Sequence, residues 1–170
     1  MPWRSFLPAV PSRAALAREL IVPDVAAAET MRLEVRRLIS GPREAVFRAW
    51  TTRELLEQFM CPGWRAAARV TCDPRPGGRF TIDMLGEQGE VWHHEGEYLE
   101  VTPPSRLKFT WISAATKNRP SVVTIDFLER EGKTELVLVH EGLPDQKGRD
   151  GHTVGWTEIA KQIDWVVTEA

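Results

Sequence analysis

The chain has 170 residues, of which 42% are hydrophobic and 27% charged, with a net charge of −2 and a pI near 6.1. Those values describe one globular domain that can bury roughly 70% of its unfolded surface. They exclude a phosphate-binding face of the nucleic-acid type, since no long Lys/Arg block occurs, and no apolar run approaches the roughly 20 residues of a membrane helix.

Residues 1–30 read differently from the rest. They hold four prolines and no acid before Glu19, and they lack the uninterrupted apolar core of a secretory signal. The expectation is an N-terminal extension, an arm or upstream sequence ahead of Met31, with a targeting leader as the lesser alternative; the domain proper is expected over 31–170. From Met31, MRLEVRRLIS alternates as an opening strand with Leu33, Val35 and, after one slip, Leu38 on its buried face. The next segment, PREAVFRAWT, starts a helix with Ser40 or Gly41 near the cap and Pro42 in the first turn, where a missing N–H costs nothing. Val46, Phe47 and Trp50 share one face of it. A second short helix, RELLEQF, presents Leu55, Leu56 and Phe59, and Cys61-Pro62-Gly63 ends it.

From Ala66 the pattern becomes strand, turn, strand. Turn chemistry at 73–78, 86–89, 102–104, 113–121 and 129–133 separates six β-rich runs, which at this spacing form an antiparallel meander. A long amphipathic helix over about 150–168 closes the chain. His152, Trp156, Ala160, Ile163 and Val167 fall on its apolar face; Glu158, Lys161, Gln162 and Glu169 fall opposite. Asp150 is the expected N-cap or first-turn acid. The fold class is therefore α+β: a seven-stranded curved antiparallel sheet wrapped around a long C-terminal helix, with two short helices after the first strand and a pocket in whatever space remains.

Four segments carry a family resemblance: PREAVFRAWT (42–51), DPRPGGRF (73–80), GEYLEVTPPSRLKFTW (96–111) and HEGLPD through GHTVGW (140–156). In this order the chain resembles the AHSA1-like (activator of Hsp90 ATPase homologue 1-like) branch of the START/Bet v 1-type SRPBCC superfamily. The resemblance covers about residues 31–168 and implies a helix-grip fold. It also implies a menu of functions: hydrophobic-ligand binders, polyketide aromatase/cyclases, and a domain of the Hsp90 ATPase activators. One departure concerns the corner after the second helix. Many members carry Trp-Trp-Gly-Pro there, and this chain has Phe59-Met60-Cys61-Pro62, so the pocket is expected to differ in width at that point.

Candidate site residues follow from strand and helix faces. Phe80, Ile82 and Met84 share one strand face, and Leu107, Phe109 and Trp111 another. With Trp156, Ala160 and Ile163 they could line an apolar cavity. Trp92, His94 and Tyr98 share a face of the next strand, opposite His93, Glu95 and Glu97, unless a bulge at Gly96 reverses half of the assignment. Leu138 and His140 point together, and His152 lies one helical turn from Trp156. His140 and His152 could meet as an acid–base pair; a metal would need a third ligand that the spacing does not supply. The bland reading has one histidine bonded to a backbone carbonyl and the other at the helix start. No catalytic residue is assigned; His94, Tyr98, His140 and His152 are the ones an enzyme would use.

The leading expectation is a carrier or sensor of a small hydrophobic molecule, aromatic or lipid-like, without a cofactor, acting as monomer or homodimer. A polyketide cyclase/aromatase comes second. An Hsp90-type ATPase co-chaperone comes third, because fuller activators carry a separate N-terminal domain that thirty proline-broken residues are not expected to supply. Cys61 and Cys72 form no CxxC pair or disulfide framework, which suits a reducing, cytoplasmic setting. Trp165 falls on the polar side of the last helix, where Trp3, Phe6 and Leu7 of the arm, or a second subunit, could cover it.

Overall fold

The computed structural model describes residues 31–63 and 67–168; the expectations for residues 1–30 and for Glu169 lie outside them. In chain order come β1 (Met31–Ile39), α1 (Arg43–Thr51), α2 (Arg53–Phe59), β2 (Ala67–Cys72), β3 (Arg79–Leu85) and β4 (Val91–Thr102). They are followed by β5 (Arg106–Ser113), a single-turn helix (Ala114–Thr116), β6 (Ser121–Arg130), β7 (Lys133–Leu143) and α3 (Gln146–Thr168). The seven strands form one antiparallel sheet in the order β1-β7-β6-β5-β4-β3-β2. The meander from β2 to β7 is thus continuous, and β1 completes it beside β7.

The Gly- and Pro-rich turns at 73–78, 86–89 and 102–104 fall where one strand gives way to the next, because their backbones cannot continue a ladder. β1 departs from the expected slip. It alternates strictly, with Leu33, Val35 and Ile39 buried and Leu38 52% exposed. The position that broke the sequence pattern is Arg37, a charged residue on an inward row. Its guanidinium reaches the Asp164 carboxylate of α3 at 3.0 Å, and the same carboxylate accepts the Ser40 N–H at 2.7 Å. Pro42 occupies the N-cap of α1 rather than its first turn, and its carbonyl accepts the Ala45 and Val46 N–H groups.

The last helix starts four residues earlier than its polarity suggests. Asp145, directly before Gln146, accepts the Gly148 N–H at 2.8 Å and does the capping expected of Asp150. That bond and the Lys117 ammonium at 2.9 Å hold the Asp145 carboxyl below its usual range. Asp150 sits inside the helix, bonded to the Gln146 side chain one turn earlier.

The core lies between the concave sheet face and the three helices. Phe47 meets Phe127 edge-on at 5.3 Å, Trp50 meets Phe59 at 5.3 Å, and Ile163 and Val166 seat α3. Gly96 lets β4 pass β5 closely: a β-carbon there would stand 2.0 Å from the Thr110 carbonyl oxygen and 2.5 Å from the Phe80 ring. The register shift in β4 falls between Tyr98 and Glu100, not at Gly96. His94, Gly96 and Tyr98 therefore keep one face, the inner one.

Candidate functional site

A cleft of about 440 Å³ lies between the N-terminal half of α3 and the sheet. Met84, His94 and Trp111 form its floor from β3, β4 and β5 as diagonal neighbours, since Met84 pairs with Trp92 and His94 with Ile82 and Ser113. His152, Trp156 and Ile159 come from α3, with Gly151, Val154 and Gly155 on the same wall; Ala115 and Pro62 close the ends. None of these residues carries a formal charge at neutral pH other than through its imidazoles. Trp111 packs on His94 at 4.8 Å and on Trp156 at 4.9 Å between ring centres.

A buried polar chain supports the floor. The Trp156 indole N–H donates to His140 Nδ1 at 3.1 Å. His140 is fully buried, so its other nitrogen carries the proton and donates to Ser121 Oγ at 2.7 Å. Ser121 in turn donates to the Trp111 carbonyl at 2.7 Å. Burial pushes the His140 pKa down to about 3, with a smaller contribution from His152. His140 is thus a neutral strut whose two nitrogens are both committed to the protein.

His140 and His152 do come together, ring edge to ring face at 4.8 Å. His152 Nδ1 stands 2.7 Å from the Gly148 carbonyl, an oxygen that can only accept, so Nδ1 carries the proton and Nε2 is left as an acceptor. Burial lowers the His152 pKa, and the Gly148 bond partly opposes the shift. Of the two, His152 is the one that lines the cleft. Among the described residues no group of three or more His, Cys, Asp or Glu side chains is placed to hold a metal ion.

The remaining sequence-predicted positions divide by depth. Phe80, Ile82, Tyr98 and Phe109 surround a void of only about 20 Å³, because Trp50, Leu56 and Met60 fill the centre of the sheet from the short helices. Desolvation raises the Tyr98 pKa. Leu107, Leu138, Ala160 and Ile163 are packed into the core. Trp92 is half-buried and borders a neighbouring open groove with His93 and His94.

Sequence reasoning missed Pro62, Ala115, Gly151, Val154, Gly155 and Ile159. Ile159 was detectable as an i+3 neighbour of Trp156. Glycines carry no hydropathy signal, and Pro62 arrives from a distant corner. Gly151 and Gly155 are unusual in a helix interior, where each is about 1 kcal/mol less favourable than Ala. A β-carbon at either would meet nothing within 4 Å, whereas one at Gly148 would stand 3.2 Å from the Ala115 carbonyl oxygen.

Residues 40–168 match the family profile described as Activator of Hsp90 ATPase homolog 1-like protein. The human Activator of 90 kDa heat shock protein ATPase homolog 1 is 23% identical over 137 residues, which cover 78% of this chain and 37% of that protein. The mouse protein of the same name is 24% identical over the same coverage. The chain therefore spans little more than a third of the curated relatives it matches. Among solved structures, a protein of Chromobacterium violaceum superposes with a TM-score of 0.71 at 25% identity, covering 80% of this chain and 96% of that one. A protein of Mycobacterium smegmatis gives 0.70 at 25% identity, covering 82% and 92%.

Proposed function

We propose that this chain, which belongs to the Activator of Hsp90 ATPase homolog 1-like family, binds a small hydrophobic molecule in the cleft between α3 and the sheet. The carrying observation is the cleft itself: about 440 Å³ with mostly apolar walls and a few polar atoms, the dimensions and chemistry of a small-molecule site. A carrier or sensor role suits it better than a cyclase. The most buried imidazole, His140, spends both nitrogens on holding Trp156 and Ser121, which leaves it no free atom for proton transfer to a bound molecule. Among the described residues no disulfide joins Cys61 and Cys72, in keeping with a reducing, cytoplasmic setting.

The test uses the full chain. It is extracted with organic solvent for mass spectrometry and then screened by thermal unfolding against neutral aromatic and aliphatic compounds. A ligand at 100 times its dissociation constant adds about 2.7 kcal/mol of stability. A co-purifying molecule or a saturable shift is expected. An empty extract together with a flat screen would overturn the reading.

A further inference from the structure

We infer that Gly151 and Gly155 are specificity-determining positions, which let a flat, uncharged, hydroxyl-bearing aromatic molecule lie directly on the backbone of α3. This rests on the cleft being a ligand site and names the class of ligand.

Neither glycine is required by packing, since a β-carbon at 151 or 155 meets nothing within 4 Å, and neither has a positive φ. The contrast within one helix is informative: a β-carbon at Gly148 would crowd the Ala115 carbonyl oxygen at 3.2 Å, whereas Gly151 and Gly155 face open space. Gly151 and Gly155 are four residues apart and so lie on one face, the face that borders the cleft. Poor helix formers placed side by side against open space leave bare backbone where any side chain would stand in the cleft.

The second observation is independent. Trp111 is 2% exposed and lines the same cleft, yet its indole N–H has no hydrogen-bond partner among the described residues. A buried donor of this kind is normally satisfied. The Trp156 indole, 4.9 Å away by ring centres, has His140 as its acceptor. What Trp111 lacks is an acceptor oxygen, and a ligand hydroxyl supplies one.

The remaining walls define the class. Trp111 from the sheet and Trp156 from α3 present aromatic surface suited to offset stacking, beside the bare backbone at Gly151 and Gly155. His152 offers Nε2, an acceptor for a hydroxyl proton. Among the described residues no Asp, Glu, Lys or Arg lines the cleft, so a carboxylate or ammonium on the ligand would lie unpaired against them. The occupant is a neutral phenol-like ring system.

The experiment compares 2-naphthol with decan-1-ol, which share a hydroxyl and a carbon count but differ in flatness, by titration calorimetry on the full chain. Gly151→Ala and Gly155→Ala are each expected to raise Tm by about 1–4 °C, which shows that the fold is intact. Each should weaken 2-naphthol by about tenfold or more, the effect of one methyl group placed where a ring must lie, while decan-1-ol changes by less than about threefold. Trp111→Phe keeps the ring and removes the donor; it should weaken 2-naphthol more than it weakens naphthalene. The inference is overturned if the alanine variants bind 2-naphthol within about threefold of the parent, or if decan-1-ol is the better ligand of the parent; binding in the cleft then still stands. If the parent binds neither probe and its extract is empty, the cleft reading falls and this one with it.

Discussion

Two residues show how little freedom the inner sheet face has. At Gly96, any side chain would overlap the Thr110 carbonyl oxygen and the Phe80 ring, and the oxygen belongs to a paired strand that cannot retreat alone. Gly96→Ala is expected to cost about 3 kcal/mol or more, and a urea titration showing a loss under about 1 kcal/mol would mean that β4 and β5 separate more easily than their register implies. At the cleft floor, His140 is a spacer of fixed tautomer. Replacing it by Leu would leave the Trp156 indole with no acceptor in a dry environment, which is why a histidine occupies a position that reads as core. Its face was legible from strand alternation with Leu136 and Leu138. Its partners were not, because Ser121 lies across the sheet on a neighbouring strand and Trp156 on a helix.

At the scale of elements, the tie between β1 and α3 depends on Asp164. One carboxylate accepts both the Ser40 backbone N–H and the Arg37 guanidinium, joining the end of the first strand to the last turns of the helix. Asp164→Ala should destabilise the protein by about 1–3 kcal/mol. Amide exchange would then rise first in 160–168 and at Ser40; uniform exchange throughout would remove the clasp from the account. The same pair explains a misreading from sequence. Arg37 on an inward row looks like a break in alternation, and only its distant partner restores the pattern. Hairpin turns, by contrast, were legible because Gly and Pro act through their own backbone, and α2 was legible from end to end because RELLEQF is bounded by its own stop signals. The start of α3 was misplaced because Asp145 and Asp150 carry equal local promise, and capping is decided by which one meets a free N–H. The deep cavity expected from the aromatic strand faces is largely occupied by Trp50, a residue that sequence places on a helix without saying how far its ring reaches.

For the whole molecule, buried imidazoles set the response to acid. A histidine whose folded pKa lies below its unfolded value near 6.5 binds fewer protons when folded, so its contribution is complete above about pH 6.5 and is lost as pH falls toward 3. His140 alone gives a slope of roughly 1.4 kcal/mol per pH unit within that window, and His152 acts in the same direction. Glu34, Glu54 and Asp145 have lowered pKa values, and their contributions fade only below about 4.5. His93, raised by the Asp83 carboxylate at 2.6 Å, runs the opposite way: its contribution is present below about 6.5 and lost above, and solvent screening keeps it small. Denaturant unfolding between pH 4 and 7 should therefore show stability climbing with pH in the parent chain and a flatter profile in His140→Leu; parallel profiles would show that His140 does not titrate on unfolding. The tilted indoles of Trp111 and Trp156, 4.9 Å apart between ring centres, give the molecule an optical reporter of its own. Two strong transition dipoles that close and tilted couple to one another, so the far-ultraviolet circular dichroism is expected to carry a split signal whose amplitude follows their mutual angle. Any guest that seats against that pair changes the signal without a label, and the cleft can be read by light alone.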